Sequence, residues 1–215
     1  MSAVWQYFRD NQAEILSWLW TTVWLAALPL LLGLLIALPL GWAASRFRWS
    51  YPPIVTLGGV LYTVPSIVMF VVLPGILHTQ ILAPVNVAVA LTIYSVALLV
   101  RVVADGLSSV STDVLSSAAA MGYTNRQRLL AVQFPIAVPI IGAGLRVAAV
   151  SNVSLVSVAS TIGVSQLGQL FVAGDNNTSA TPIILGLILF VLLALIFDGA
   201  ILVALRLATP WRRLR

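Results

Sequence analysis

The sequence predicts an all-α, polytopic membrane protein with about five transmembrane helices. Of its 215 residues 60% are hydrophobic and only 8% are charged, whereas a soluble domain carries about a quarter charged residues. So little charge cannot cover a water-facing surface, while in a bilayer apolar side chains face lipid and helices satisfy their own backbone groups. Five apolar stretches also reach the length of about 20 residues that a span requires at 1.5 Å rise per residue.

Residues 1–17 read as an amphipathic lead-in whose Trp5, Tyr7 and Phe8 suit the membrane interface. Arg9, Asp10 and Glu14 interrupt it, and no small-residue cleavage site follows. The first span, 18–44, is therefore expected to act as an uncleaved targeting signal. Further spans are expected over 54–77, 85–108, 136–159 and 182–207. Together they form one transmembrane domain, 18–208, followed by a basic tail, 209–215. No internal repeat or low-complexity linker divides the chain.

The segment 109–134 is the longest polar stretch between spans. Ser111, Thr112 and Asp113 precede an Ala-rich run, a helix N-cap signal. Gly122 then reads as a helix break and Thr124 as the cap of a second short helix. Pro135 and Pro139 open the fourth span, where a first-turn proline is tolerated.

Every basic residue is Arg, with a formal charge of +5. The arginines lie at the ends of apolar runs and form no nucleic-acid-binding patch. Arg46 and Arg48, Arg126 and Arg128, and the tail residues Arg206, Arg212, Arg213 and Arg215 fall on one side of a five-span chain. Arg9, with Asp10, Glu14 and Asp175, falls on the other. The bias places the N-terminus outside, the C-terminus in the cytoplasm and the loop 109–134 on the cytoplasmic side.

With no Cys, disulfides, thiolate metal sites and Cys nucleophiles are excluded. His78, the single histidine, has no clustered partners and reads as a boundary residue; no metal site is expected. Asp105 lies four residues after Arg101, helical spacing for an ion pair. Asp198, inside the fifth span, is a candidate partner of Arg146 or of an arginine on a neighbouring helix, or else approaches the cytoplasmic interface. An intramembrane aspartyl protease would need the two aspartates nearly touching, and both lie toward the inner ends of their helices. Ser154, Ser157 and Thr161 share one helical face within the polar run that includes Ser151, Asn152 and Ser160. That face is a candidate pathway lining, or else a helix-packing face. Tyr62, Pro65 and Ser66 could kink and line the second span. Gly163 and Gly168 flank a short apolar segment that reads as an outer gate, a re-entrant turn or a plain loop.

The loop resembles the signature of binding-protein-dependent ABC importers: Glu-Ala-Ala, three residues, Gly, nine residues, Ile, one residue, Leu-Pro. Ser116, Ser117, Ala118, Gly122, Val132, Phe134 and Pro135 fall at the matching spacing. Ala118, Gly122 and Pro135 are identical to it, and Ser116 stands where the family has Glu. Tyr62 to Ser66, the Ala-Met-Gly run ending at Gly122, Phe134 to Pro139, Ile140 to Arg146 and the Gly163/Gly168 segment resemble the osmoprotectant permeases for glycine betaine, carnitine and choline. The methionine permeases are near relatives.

The resemblance implies a type I importer of MetI-like architecture in the bacterial inner membrane. It implies two permease subunits, identical or paired with a sister, two cytoplasmic ATPases gripping the 111–134 loops, and an extracytoplasmic binding protein. The chain itself has no catalytic residues and no cofactor. It carries no Gly-x4-Gly-Lys-Ser/Thr loop, so ATP and Mg belong to the partner ATPase. A secondary transporter would be expected to show internal repeats and intramembrane coupling sites; a structural membrane protein is the third reading.

The cysteine-free background makes the orientation testable. Asn125→Cys should react with a membrane-impermeant maleimide only after cells are opened, and Asn177→Cys in intact cells. The opposite pattern would invert the topology.

Overall fold

The computed structural model describes residues 2–47 and 49–210. Arg48, Arg212, Arg213 and Arg215, four of the arginines used to assign the inner face, lie outside the described residues. Among those described, all regular structure is helical: α1 (Ser2–Asp10), α2 (Gln12–Arg46), α3 (Tyr51–Thr63), α4 (Ser66–Leu77), α5 (Pro84–Ser108), α6 (Thr112–Ala120) and α7 (Asn125–Gln127). A π-helical stretch, Arg128–Gln133, leads into α8 (Phe134–Val158), a 3-10 turn (Ala159–Ile162), α9 (Gln169–Asn176) and α10 (Ala180–Ala208). Four helices are long and apolar enough to cross a membrane, and the α3–α4 pair, bent by 101°, can make a fifth.

The lead-in divides at Asn11, whose side-chain amide donates to the Tyr7 carbonyl at 3.0 Å. Residues 12–17 run on into α2, a helix of 35 residues. At 1.5 Å per residue it is about 50 Å long, well beyond a hydrocarbon core of about 30 Å.

The expected second span is broken rather than straight, and Pro65 explains why. A residue before proline is pushed out of the α region, and Val64 is extended at φ −65°, ψ 127°. Pro65 is extended too, at φ −59°, ψ 134°. The Val64 carbonyl accepts a hydrogen bond from Tyr94 Oη at 2.6 Å. Tyr94 lies on α5, so the break is pinned to the centre of the bundle.

α5 is that centre. In its most apolar stretch 56% of residues are buried, against 11% for α10, which leaves α10 facing outward. The α2–α5 approach is set by Gly33: a Cβ there would stand 2.3 Å from Ser95 Cβ. Beside this contact, Asn152 of α8 donates to Ser95 Oγ at 2.9 Å and to the Ala26 carbonyl at 3.4 Å. One buried amide thus ties three helices. Thr22 makes a second tie: its hydroxyl accepts from the Leu167 N–H at 3.0 Å and donates to the Trp18 carbonyl at 2.8 Å. No buried side-chain polar atom among the described residues lacks a partner.

Gly33→Val should lower stability by about 1–3 kcal/mol, the usual cost of overpacking. The check is the thermal unfolding midpoint in detergent; an unchanged midpoint would contradict the α2–α5 contact.

Candidate functional site

The polar segment between α5 and α8 is built from local signals. Ser111 Oγ accepts from the Val114 N–H at 3.4 Å and caps α6, with Asp113 in its first turn. The helix ends in a Schellman turn: the Gly122 N–H donates to the Ala119 carbonyl at 2.9 Å and the Tyr123 N–H to Ala118 at 3.1 Å. Gly122 sits at φ 86°, where a side chain is strained. Thr124 and Gln127 then form a reciprocal capping box.

The second short helix is not a separate unit. From Asn125 the chain runs helically through to Ile162. The turn before Pro135 is wound wider, with the Phe134 N–H reaching Leu129 O, five residues back. Pro135 has no N–H to return to Ala131 and its ring crowds that carbonyl, which favours the wider winding in the turn before it. α6 is therefore a short cross-piece joined by a glycine turn to one long rod.

The residues singled out in this segment divide by exposure. Ser116, Ser117 and Gly122 face outward, while Ala118 is 2% exposed. Val132, Phe134 and Pro135 are half-buried, and Phe134 packs against the cluster of Val103, Leu107, Ala137 and Ile141. The segment also exposes large apolar residues, Val114, Met121, Tyr123 and Leu130, of which Met121 is 70% exposed. Met121 belongs to the Ala-Met-Gly run noted in the sequence, whereas the signal of the others is only that they are apolar within a polar segment.

Toward the other end of α8, Ser154 and Ser157 line a hollow of about 260 Å³ with Phe171, Phe190, Val150 and Val191. Thr161 is exposed outside that lining. The Ser157 and Thr161 hydroxyls donate to carbonyls three residues back, both at 2.7 Å. Each keeps an oxygen able to accept from a guest. Asn152 and Ser160, from the same polar run, are buried instead. Tyr62 is exposed and stands edge-on to Tyr94, ring centres 5.9 Å apart; Pro65 is exposed and Ser66 half-buried at the break. Gly163, at φ 91°, closes the 3-10 turn. Gly168 is buried, its N–H donating to Gln166 Oε1 at 2.6 Å. The segment between them folds inward, with Val164, Gln166 and Leu167 buried. His78 ends α4 in a left-handed conformation, φ 55°, and is exposed.

The two aspartates have different partners. Arg146 meets Asp198 in a two-pronged pair, both N–O distances 2.7 Å, which clamps α8 to α10. Asp105 accepts from Tyr51 Oη at 2.6 Å and lies 3.6 Å from Arg101 Nε, linking α3 to α5.

Residues 30–204 match the family described as binding-protein-dependent transport system inner membrane component. The chain is 32% identical over 196 residues to the osmoprotectant import permease protein OsmW of Salmonella typhimurium, covering 89% of this chain and 90% of that one. It is 29% identical over 208 residues to the choline transport system permease protein OpuBB of Bacillus subtilis, covering 95% and 93%. Among solved structures, an inward-facing MetNI methionine ABC transporter superposes with a TM-score of 0.82 at 20% identity, covering 92% and 97%. An amino acid ABC transporter with histidines superposes at 0.74 and 19% identity, covering 94% and 97%. At such identities these two show a shared fold.

The Arg146–Asp198 clamp predicts that Arg146→Met or Asp198→Leu alone lowers the thermal midpoint more than both together. Each single change strands a charge within a membrane-spanning helix, and the double change removes both. Equal or additive losses would show that the pair is not formed.

Proposed function

This chain belongs to the family of binding-protein-dependent transport system inner membrane components, and from that premise we propose that it carries a quaternary-ammonium osmoprotectant such as glycine betaine, choline or carnitine. It is an ABC importer permease subunit, a multi-pass protein of the inner membrane. An ATP-binding subunit and a substrate-binding protein are the partners that membership implies. The cargo reading rests on near full-length likeness to permeases described as osmoprotectant, choline and carnitine transporters. The amino-acid transporters are similar in fold at about 20% identity, which gives the methionine alternative weaker support.

In this reading the arginine bias puts α6 on the cytoplasmic side, where the ATPase grips it. Ser116 and Ser117 offer hydroxyls where the family signature has Glu and Ala, so docking there relies on shape and apolar contact rather than a salt bridge. Met121, Tyr123 and Val114 supply that contact. Ala118 is the buried contact of the cross-piece, and Phe134 seats the foot of the rod against α5. ATPase closure tilts α6, and the rod from Asn125 onward carries the tilt into the bundle. Ser154 and Ser157 line the route of the cargo. Two such subunits, identical or sister chains, enclose the pathway, and two states biased by ATP and by the loaded binding protein account for coupling.

The test is uptake in a deficient strain that expresses this chain with its ATPase and binding protein. Glycine betaine, choline or carnitine should accumulate only when the ATPase is active. Accumulation of methionine alone would move the chain to the amino-acid importers, and uptake without the ATPase would favour a secondary transporter. Gly122→Trp should cut uptake at least about tenfold, as strain at φ > 0 disrupts the turn, and weaken ATPase co-purification while insertion is retained. Normal uptake in that variant would remove the coupling role of this loop.

A further inference from the structure

Among the described residues, two sets of arginines contrast. Arg101 and Arg146 lie beside carboxylates. Arg46, Arg126 and Arg128 instead converge on one cleft of about 210 Å³ and form no ion pair with any described carboxylate. Arg46 is the last residue of α2, and Arg126 and Arg128 stand at the foot of the rod that becomes α8. The Arg128 guanidinium is oriented by the Asn125 side chain, a neutral partner that leaves its charge in place. Three like charges gathered around a small cleft repel one another unless an anion sits between them.

The cleft is not purely polar. Trp42, one turn back along α2 from Arg46, lines it together with Leu115 and Leu129. Its lining therefore combines cationic donors with apolar side chains. It lies where α2 ends and the rod that becomes α8 begins, beside the ends of two long apolar helices. Guanidinium groups bind phosphate oxygens through two parallel N–H···O bonds, and basic pockets between spans take anionic headgroups.

We propose that this cleft binds the phosphate headgroup of an anionic phospholipid, with the start of an acyl chain lying along Trp42, Leu115 and Leu129. Bound lipid would join α2 to the base of α8, beside the turn that links α6 to the rod. The site goes beyond the transport reading and does not depend on which cargo is carried. A free phosphate shares the anionic chemistry but gains nothing from the apolar side chains.

The experiment is native mass spectrometry of the full chain, delipidated in a neutral detergent and titrated with phosphatidylglycerol or phosphatidylcholine. Phosphatidylglycerol should bind on the order of a hundredfold more tightly, given about a factor of five for each of the three arginines near the headgroup. The Arg46→Gln/Arg126→Gln/Arg128→Gln variant should bring the two lipids to parity. Gln133→Glu keeps all three arginines, nearly preserves side-chain shape and places a carboxylate in the cleft lining; it should reduce the preference severalfold, which guards against a misfolded triple variant. Equal binding of both lipids to the unaltered chain, or an unchanged preference in both variants, would overturn the proposal. Displacement of phosphatidylglycerol by millimolar inorganic phosphate would also overturn it, in favour of a soluble anion. Loss of ATPase co-purification in the variants, with no lipid preference in the unaltered chain, would instead assign the arginines to an acidic protein partner.

Discussion

The bundle depends on how closely α2 and α5 approach. In lipid there is no water to drive apolar helices together, so association rests on packing and interhelical hydrogen bonds. Gly33 leaves no room for a side chain opposite Ser95, and the backbones meet there. That approach brings Ser95 and the Ala26 carbonyl within reach of one amide, Asn152. α8 is thereby fixed to the pair formed by α2 and α5. The same contact leaves α10 to be held by its clamp to Arg146 and by packing along one side, with the rest of its surface facing outward.

Proline shapes the remainder in two opposite ways. At Pro65 it separates α3 from α4, because both it and Val64 are extended, and the freed carbonyl finds Tyr94. At Pro135 it only widens the winding, and the helix continues. The difference lies in the preceding residue: Val64 leaves the helical region, whereas Phe134 stays within it at φ −62°, ψ −48°. One proline gives a corner and the other preserves a rod. A rod that starts beside the glycine turn and runs on through Asn152 is a physical route from α6 to the bundle core.

Charge is handled by position. Where arginine lies among apolar helices it meets a carboxylate, as in Arg146–Asp198, because an isolated charge there is costly. At the helix ends, where lipid headgroups and water are near, Arg46, Arg126 and Arg128 stand without such partners among the described residues. Asp105 shows the intermediate case, with Tyr51 and Arg101 sharing it at an exposed position.

The sequence by itself determined the helical class, the number of apolar stretches and the punctuation of the 109–134 segment. These follow from hydropathy, caps and a glycine, all of which act over a few neighbouring residues. The Ser111 cap, the Gly122 turn and the Thr124 cap were legible for that reason, and the fourfold spacing of Arg101 and Asp105 is local in the same sense. Only the tertiary structure decided that the second stretch turns by 101° and that the helix begun at Asn125 runs unbroken into α8. It also decided that Asn152 is a buried tie while Ser154 faces a hollow, and that Ala118 points inward while Met121 points out. Neighbours in sequence cannot reveal these, because each depends on which distant helix occupies the adjacent face. Arg46 and Arg128 are separated by the broken span, α5, α6 and the turns between them, and the fold of the chain places them around one cleft.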